Sequence, residues 1–151
     1  MGLTYTGGIY IDLVAKSARE ASRIEGYRMY AIGPPVTVFE KYGFSKIVDM
    51  VAVAKSILPL DKPVHLFGDG HPLIIPLMVA LGIDAFDSAS YILYARDGRY
   101  MIKEGTYKIT DLEYLPRECD VCSRYTPKEL IELEEKEKRK LLALHNLHVI
   151  N

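Results

Sequence analysis

Three groups of residues carry types and spacings that can do chemistry. Asp87 closes a short apolar run, Ala85-Phe86, and is followed by Ser88-Ala89-Ser90. A carboxylate with only small residues after it faces a pocket with little steric cover, as a nucleophile or general base requires. The same Asp ahead of Ser-Ala-Ser also suits a turn cap, and position alone leaves both readings open. Gly68-Asp69-Gly70-His71 is a loop where backbone can approach a ligand closely. Asp69 and His71 could bind or relay a proton there, or the loop is simply a tight strand-to-helix turn. Cys119 and Cys122 are spaced C-x2-C, which sets two sulfurs on one turn, and a helix can bring His145 back to them. Zinc takes four N/S ligands in a tetrahedron, so these three fall one short of a closed site. A redox pair, or two free thiols beside a capping histidine, are the alternatives. His65 reads as a core histidine inside a strand, and His148 has no partner in the pattern.

The elements that must position these groups alternate between strand and helix in the first part of the chain. Thr4-Tyr5-Thr6 is β-prone and ends at Gly7-Gly8. Asp12 can then cap a helix whose apolar positions are Leu13, Ala18, Ala21 and Ile24, with Gly26 as its stop. Residues 28–32 (RMYAI) form a second strand closed by Gly33-Pro34-Pro35. Ser45 can cap a helix with Ile47, Met50, Val51, Ala54 and Ile57 on one face, stopped by Pro59. Residues 63–67 (PVHLF) form a third strand, and Pro72 suits the first turn of a helix running to about Leu81. Residues 84–87 (DAFD) form a fourth strand. Short strands apolar on both faces, in units of about 30 residues, imply βα units and a parallel sheet.

The remainder has a different texture. Residues 91–94 (YILY) and 99–102 (RYMI) are β-prone and joined by Arg96-Asp97-Gly98, which predicts a hairpin with an Asp-Gly turn. The cysteines lie in a polar loop. Thr126-Pro127-Lys128-Glu129 is a capping box with Pro at the first helical position. A charged helix is expected from about Lys128 to His148, with Glu132–Lys136 and Glu134–Lys138 pairs on a solvated face.

Composition excludes several classes. The 151 residues are 49% hydrophobic and 26% charged, enough for a packed core and unlike a disordered chain. Lys+Arg is 19 against 20 for Asp+Glu, so the bulk charge of -1 is not that of a strongly basic nucleic-acid binder. The longest nearly apolar stretch, 72–83, is interrupted by prolines and too short to span a bilayer. No signal segment opens the sequence, so a soluble cytoplasmic protein is expected.

Taken in series, several of these runs resemble one family. They are Pro63-Val64-His65-Leu66-Phe67-Gly68-Asp69-Gly70-His71-Pro72, Phe86-Asp87-Ser88-Ala89-Ser90-Tyr91, Arg99-Tyr100-Met101, Tyr125-Thr126-Pro127-Lys128-Glu129-Leu130 and Leu141-Leu142-Ala143-Leu144-His145-Asn146. In order and spacing they are similar to the archaeal tRNA-guanine transglycosylases along the whole chain. That family is a zinc-containing TIM barrel. It exchanges a guanine in the tRNA D-loop for 7-cyano-7-deazaguanine on the route to archaeosine. The resemblance implies that Asp87 is the nucleophile, attacking the ribose anomeric carbon to form a covalent enzyme–RNA intermediate. It implies zinc on Cys119, Cys122 and His145, and base or substrate contacts from Thr6, Gly7, Gly33, Pro34, Gly68, His71 and Ser88.

The sequence departs from the family pattern at three places. Arg117 stands where the family has the first cysteine of C-x-C-x2-C. Thr6-Gly7 stands where the family has the Gln-Gly that reads the base. Gly33-Pro34 replaces a Gly-Gly pair, and Pro34 has no N–H to donate. The family's second catalytic aspartate and its C-terminal RNA-binding module have no counterpart. A TIM barrel needs eight βα units and about 250 residues, and about four units are present. The expectation is therefore one catalytic-domain fragment over 1–151: βα units of half a barrel at 1–90, then hairpin, zinc-like loop and charged helix at 91–151. Its expected partners are tRNA, a 7-deazaguanine base, and a complementary N-terminal half or a second copy of the chain. The alternatives are a non-catalytic RNA-binding or scaffolding subunit of the same ancestry, and an unrelated binding domain with a redox C-x-x-C.

Overall fold

A computed structural model of the protein describes residues 2–34, 43–68, 70–116 and 119–151. They form two compact units, one of Met1–Asp69 with Ile74–Ser88 and one of Gly70–Leu73 with Ala89–Asn151.

The first unit is a parallel α/β layer. Strands β1 (Gly2–Tyr5), β2 (Met29–Ile32), β3 (Val64–Leu66) and β4 (Ala85–Phe86) form a four-stranded sheet in the order β1-β2-β3-β4. All three pairings are parallel. Helices α1 (Ile11–Ser22), α2 (Phe44–Lys55) and α3 (Ile75–Ala80) belong to the same unit. The alternation expected from the sequence is thus present as βα units.

Side chains alternate across each strand. Tyr30, Ile32, Val64 and Leu66 point to the face that joins Val14, Ala18, Ile47, Met50, Val51, Ala54 and Met78 in the core. The stripe on α2 at 47, 50, 51 and 54 has helical spacing. Each large side chain fully buried in this way, such as Ile47 or Leu66, contributes roughly 1.5–3 kcal/mol. Thr4, Ala31, His65 and Ala85 stand side by side in register on the other face.

Several boundaries differ from expectation. Helix α1 begins at Ile11 after Tyr10, so Asp12 lies in the first turn instead of capping. A carboxylate there still meets the positive end of the helix. Val14 is buried with Ala18 and Ala21, at helical spacing, while Leu13 and Ile24 are exposed. Helix α2 starts at Phe44 and not after a Ser45 cap. Helix α3 starts at Ile75, since Pro72 falls in a turn ahead of it.

The second unit holds α4 (Ser90–Arg96), an antiparallel hairpin of β5 (Arg99–Ile102) and β6 (Gly105–Lys108), a 3-10 turn (Ile109–Asp111), α5 (Asp120–Arg124), α6 (Pro127–Glu132) and α7 (Glu135–Ile150). Its core gathers Ala95, Tyr100, Ile109, Leu115, Val121, Cys122, Leu130 and Leu142. The predicted hairpin is misplaced by one element: residues 91–94 are helical, and the hairpin turns at Lys103-Glu104. Asp97-Gly98 ends a helix instead of joining strands. Gly98, at φ +64°, takes the left-handed position after α4 and donates its N–H to the Ala95 carbonyl at 3.1 Å.

The charged helix is also broken. Leu133 is extended, at φ −65° and ψ 157°, and separates α6 from α7. Glu132 and Lys136 therefore lie on different helices, and Glu134 precedes α7. Glu135 instead pairs with Lys138 at 2.6 Å and Arg139 at 2.7 Å. The capping box at the start of α6 is present. Thr126 Oγ1 accepts the Glu129 N–H at 3.3 Å, and Glu129 Oε2 accepts the Thr126 N–H at 2.7 Å. The Thr126 N–H, and then the Thr126 hydroxyl, which donates to Glu129 Oε2 at 2.9 Å, hold the Glu129 carboxyl below its ordinary pKa.

Candidate functional site

Parallel pairing aligns the carboxyl ends of the four strands: Tyr5 is in register with Ile32, Ile32 with Leu66, and Leu66 with Phe86. The residues that follow are Thr6-Gly7, Gly33-Pro34, Phe67-Gly68 and Asp87-Ser88, so these loops share one edge of the sheet. In open parallel α/β sheets this edge is where ligands bind. Hydrogen bonds stitch the edge together. Thr6 Oγ1 donates to the Gly33 carbonyl at 3.0 Å. The Phe67 N–H donates to the Ile32 carbonyl at 3.0 Å.

Asp87 sits at the end of this row, and its carboxylate is held at one oxygen. His65 Nε2 lies 2.9 Å from Asp87 Oδ1. The Gly68 N–H donates to the same oxygen at 3.3 Å. Gly68 has φ +72°, a conformation open to glycine at little cost. The His65 ring also lies against Phe67, with centroids 4.5 Å apart. His65 is therefore more than the core histidine expected from the sequence. Its side chain is 14% exposed and that of Asp87 is 55% exposed, so a sheltered donor grips a carboxylate that remains open to solvent.

Gly7 is required by close approach. A Cβ placed on it would lie 2.3 Å from the Val14 nitrogen in α1. Thr6 uses its hydroxyl to join its own loop to that of β2, and its carbonyl accepts from Ser17 Oγ at 2.8 Å. Pro34 is buried beside Gly33. Asp69 lies outside the described residues. His71 belongs to the second unit, where it is buried with its ring edge-on to Tyr94 at 6.3 Å. Its Nδ1 accepts the Leu73 N–H at 3.3 Å. Burial first, and then the Arg99 charge, push the His71 pKa below its ordinary 6.5.

The second unit brings Cys119, Cys122 and His145 together. Cys119 Sγ lies 3.4 Å from Cys122 Sγ, and the sulfurs lie 3.3 and 3.2 Å from His145 Nδ1. Three corners of a zinc tetrahedron, at bond lengths of about 2.0–2.3 Å, are about 3.6–3.8 Å apart, so the donors need to spread only slightly around an ion. His145 Nε2 lies 2.7 Å from the Met101 carbonyl. That contact fixes the tautomer with the proton on Nε2 and a lone pair on Nδ1 facing the sulfurs, the usual support of a metal-bound histidine. The Tyr100 ring stacks on His145 at 3.7 Å, and its hydroxyl lies 2.9 Å from Cys122 Sγ. The residues present therefore fit a metal ion at three positions. Arg117 lies outside the described residues.

Asn146 had no assigned part in the sequence. It is fully buried, and its Oδ1 accepts the Met101 N–H at 2.9 Å. Its Nδ2 donates to the carbonyls of Tyr91 and Arg99, each at 3.1 Å. His145 and Asn146 thus fasten α7 to β5 and to the helix before it.

The family model described as queuine tRNA-ribosyltransferase matches residues 3–151. A tRNA-guanine(15) transglycosylase of Aeropyrum pernix is 59% identical over 145 residues, covering 96% of this chain and 28% of that protein. Proteins of the same name from Sulfolobus acidocaldarius and Thermococcus kodakarensis are 50% and 51% identical, and the chain covers 29% and 26% of them. The chain thus spans less than a third of the length of these relatives. With the family model covering the chain almost end to end, the resemblance read from the motifs holds, and this chain belongs to the tRNA-guanine transglycosylase family.

Proposed function

We propose that this chain supplies the nucleophile-bearing part of a tRNA-guanine transglycosylase, with Asp87 as the nucleophile. The observation that carries the reading is the Asp87 carboxylate, solvent-open at the carboxyl edge of a parallel sheet and held at one oxygen by His65 and Gly68. Asp87 attacks C1′ of the target nucleotide in tRNA. A C1′–O bond forms, the C1′–N9 bond breaks, and guanine leaves with the electron pair. A 7-deazaguanine base then attacks C1′ and displaces the carboxylate, so Asp87 is restored. Two displacements retain the configuration, and the negative charge stabilises an oxocarbenium-like transition state, as in retaining glycoside hydrolysis. The relatives' name supports guanine 15 of tRNA as the target, and on this reading the exchange lies on the route to archaeosine. Base contacts come from the loops carrying Thr6, Gly7, Gly33, Pro34, Gly68 and Ser88.

Among the described residues, strands β1 and β4 each pair on one side only, which supports a barrel completed by further βα units. Those units belong to a complementary N-terminal half or to a second copy of the chain. Cys119, Cys122 and His145 would hold zinc, and a bound ion would cross-link the start of α5 to α7. On this reading the protein works on tRNA in the cytoplasm, and the described residues contain no helix long and apolar enough to cross a membrane.

Exchange of radiolabelled guanine into tRNA by the complete protein tests the reading. Asp87→Asn should abolish it, and retained exchange would remove Asp87 as the nucleophile. A scaffolding role is the second reading, favoured by Pro34, which offers no N–H where the family presents one to the base. Wild-type protein that binds tRNA but forms no covalent intermediate would select it.

A further inference from the structure

Resting on the reading of Asp87 as nucleophile, we infer that His65 is its positioning residue, selecting Oδ2 as the attacking oxygen by holding Oδ1. The two residues come from neighbouring strands. Register pairs His65 with Ala85, and Asp87 follows Ala85 by two residues, so the alternation of strand side chains brings Asp87 to the same face as His65. Nε2 reaches Oδ1 at 2.9 Å and the Gly68 N–H reaches the same oxygen at 3.3 Å. Oδ2 has no hydrogen-bond partner among the described residues.

This asymmetry has chemical consequences. An oxygen that accepts two donors has its lone pairs engaged and is the poorer nucleophile. The other oxygen keeps its charge available and is aimed by the fixed carboxylate plane. Without the imidazole, an exposed Asp side chain samples several rotamers, and attack must wait for the productive one. Misplacement of a reacting group by about 1 Å costs on the order of 100-fold in rate. His65 is suited to the task because its own position is fixed. It lies mid-strand between Val64 and Leu66, both fully buried, and its ring rests against Phe67. It acts through Asp87 and has no contact with substrate in this account.

Glutamine and methionine at position 65 separate the donor from the side chain's bulk, because they are close in shape and only glutamine carries an N–H. His65→Met and His65→Gln are compared with wild type in the complete protein. The readouts are thermal melting, guanine exchange, and the single-turnover rate of covalent RNA attachment. His65→Met should slow attachment and kcat by about 10- to 100-fold, with KM for tRNA within twofold of wild type. His65→Gln should recover to within about fivefold of wild type. A His65→Met enzyme within twofold of wild type, or Gln and Met variants equally slow, would overturn the inference. Asp87→Asn run alongside keeps the two claims apart. Its retained exchange removes the nucleophile, whereas an inactive Asp87→Asn beside a fully active His65→Met removes only the positioning residue.

Discussion

The backbone N–H of Met101 donates to Asn146 Oδ1 at 2.9 Å inside the second unit, while the adjacent His145 lies 2.7 Å from the Met101 carbonyl. Both backbone groups of one strand residue are thus satisfied by consecutive side chains of α7. Asn146→Ala leaves the buried Met101 N–H without its partner and takes one bond each from the part-buried Tyr91 and Arg99 carbonyls. The expected loss is about 3 kcal/mol, since each buried group left without a partner costs about 1–3 kcal/mol. Chemical denaturation should show the midpoint falling, and an unchanged midpoint would refute the assignment.

Metal content follows from the Cys119, Cys122 and His145 geometry. The protein purified with zinc should carry one ion per chain, and Cys119→Ser or His145→Ala should lower that content and the melting temperature together. A chelator should lower melting in the wild type and have little effect in either variant. Zinc content unchanged by both substitutions would contradict a shared site.

Gly7→Ala should be costly although the side chain is minimal. The new Cβ meets backbone of α1 at 2.3 Å, and backbone has little room to yield. Overpacking of this kind costs about 3 kcal/mol. A melting temperature within a degree of wild type would show that the β1–α1 turn relaxes freely.

His71 should make folding weaken in mild acid. Its folded pKa is lowered by burial and by Arg99 from an ordinary 6.5. Below that ordinary value the unfolded chain binds a proton that the folded chain refuses. Stability contributed by neutral His71 is therefore complete above 6.5 and declines as pH falls through it, levelling off below the folded pKa. Melting curves at pH 7.5 and 5.5 should show a larger loss in the wild type than in His71→Gln. Equal losses would mean that His71 ionises alike in both states.

Strands 28–32 and 63–67 are legible in the sequence because apolar runs bounded by Gly and Pro have few other uses. The reactive candidates Asp87, Cys119, Cys122 and His145 stand out by residue type and spacing. The tie between His65 and Asp87 is hidden because it depends on strand register, which arises from pairing between segments far apart in the chain. Asn146 is hidden for the same reason, since its partners lie on α4 and β5. Residues 91–94 mislead through their Tyr and Ile content. The Asp97-Gly98 pair does not separate the two outcomes, since the left-handed backbone of Gly98 closes a helix as readily as a hairpin.

Covalent capture tests the central claim most directly. The complete protein is incubated with tRNA in the absence of an incoming base and denatured, and the RNA-linked peptide is identified by mass spectrometry. The account predicts a ribose adduct on Asp87 that disappears in Asp87→Asn. An adduct mapped to another residue, or one that persists in Asp87→Asn, would contradict it.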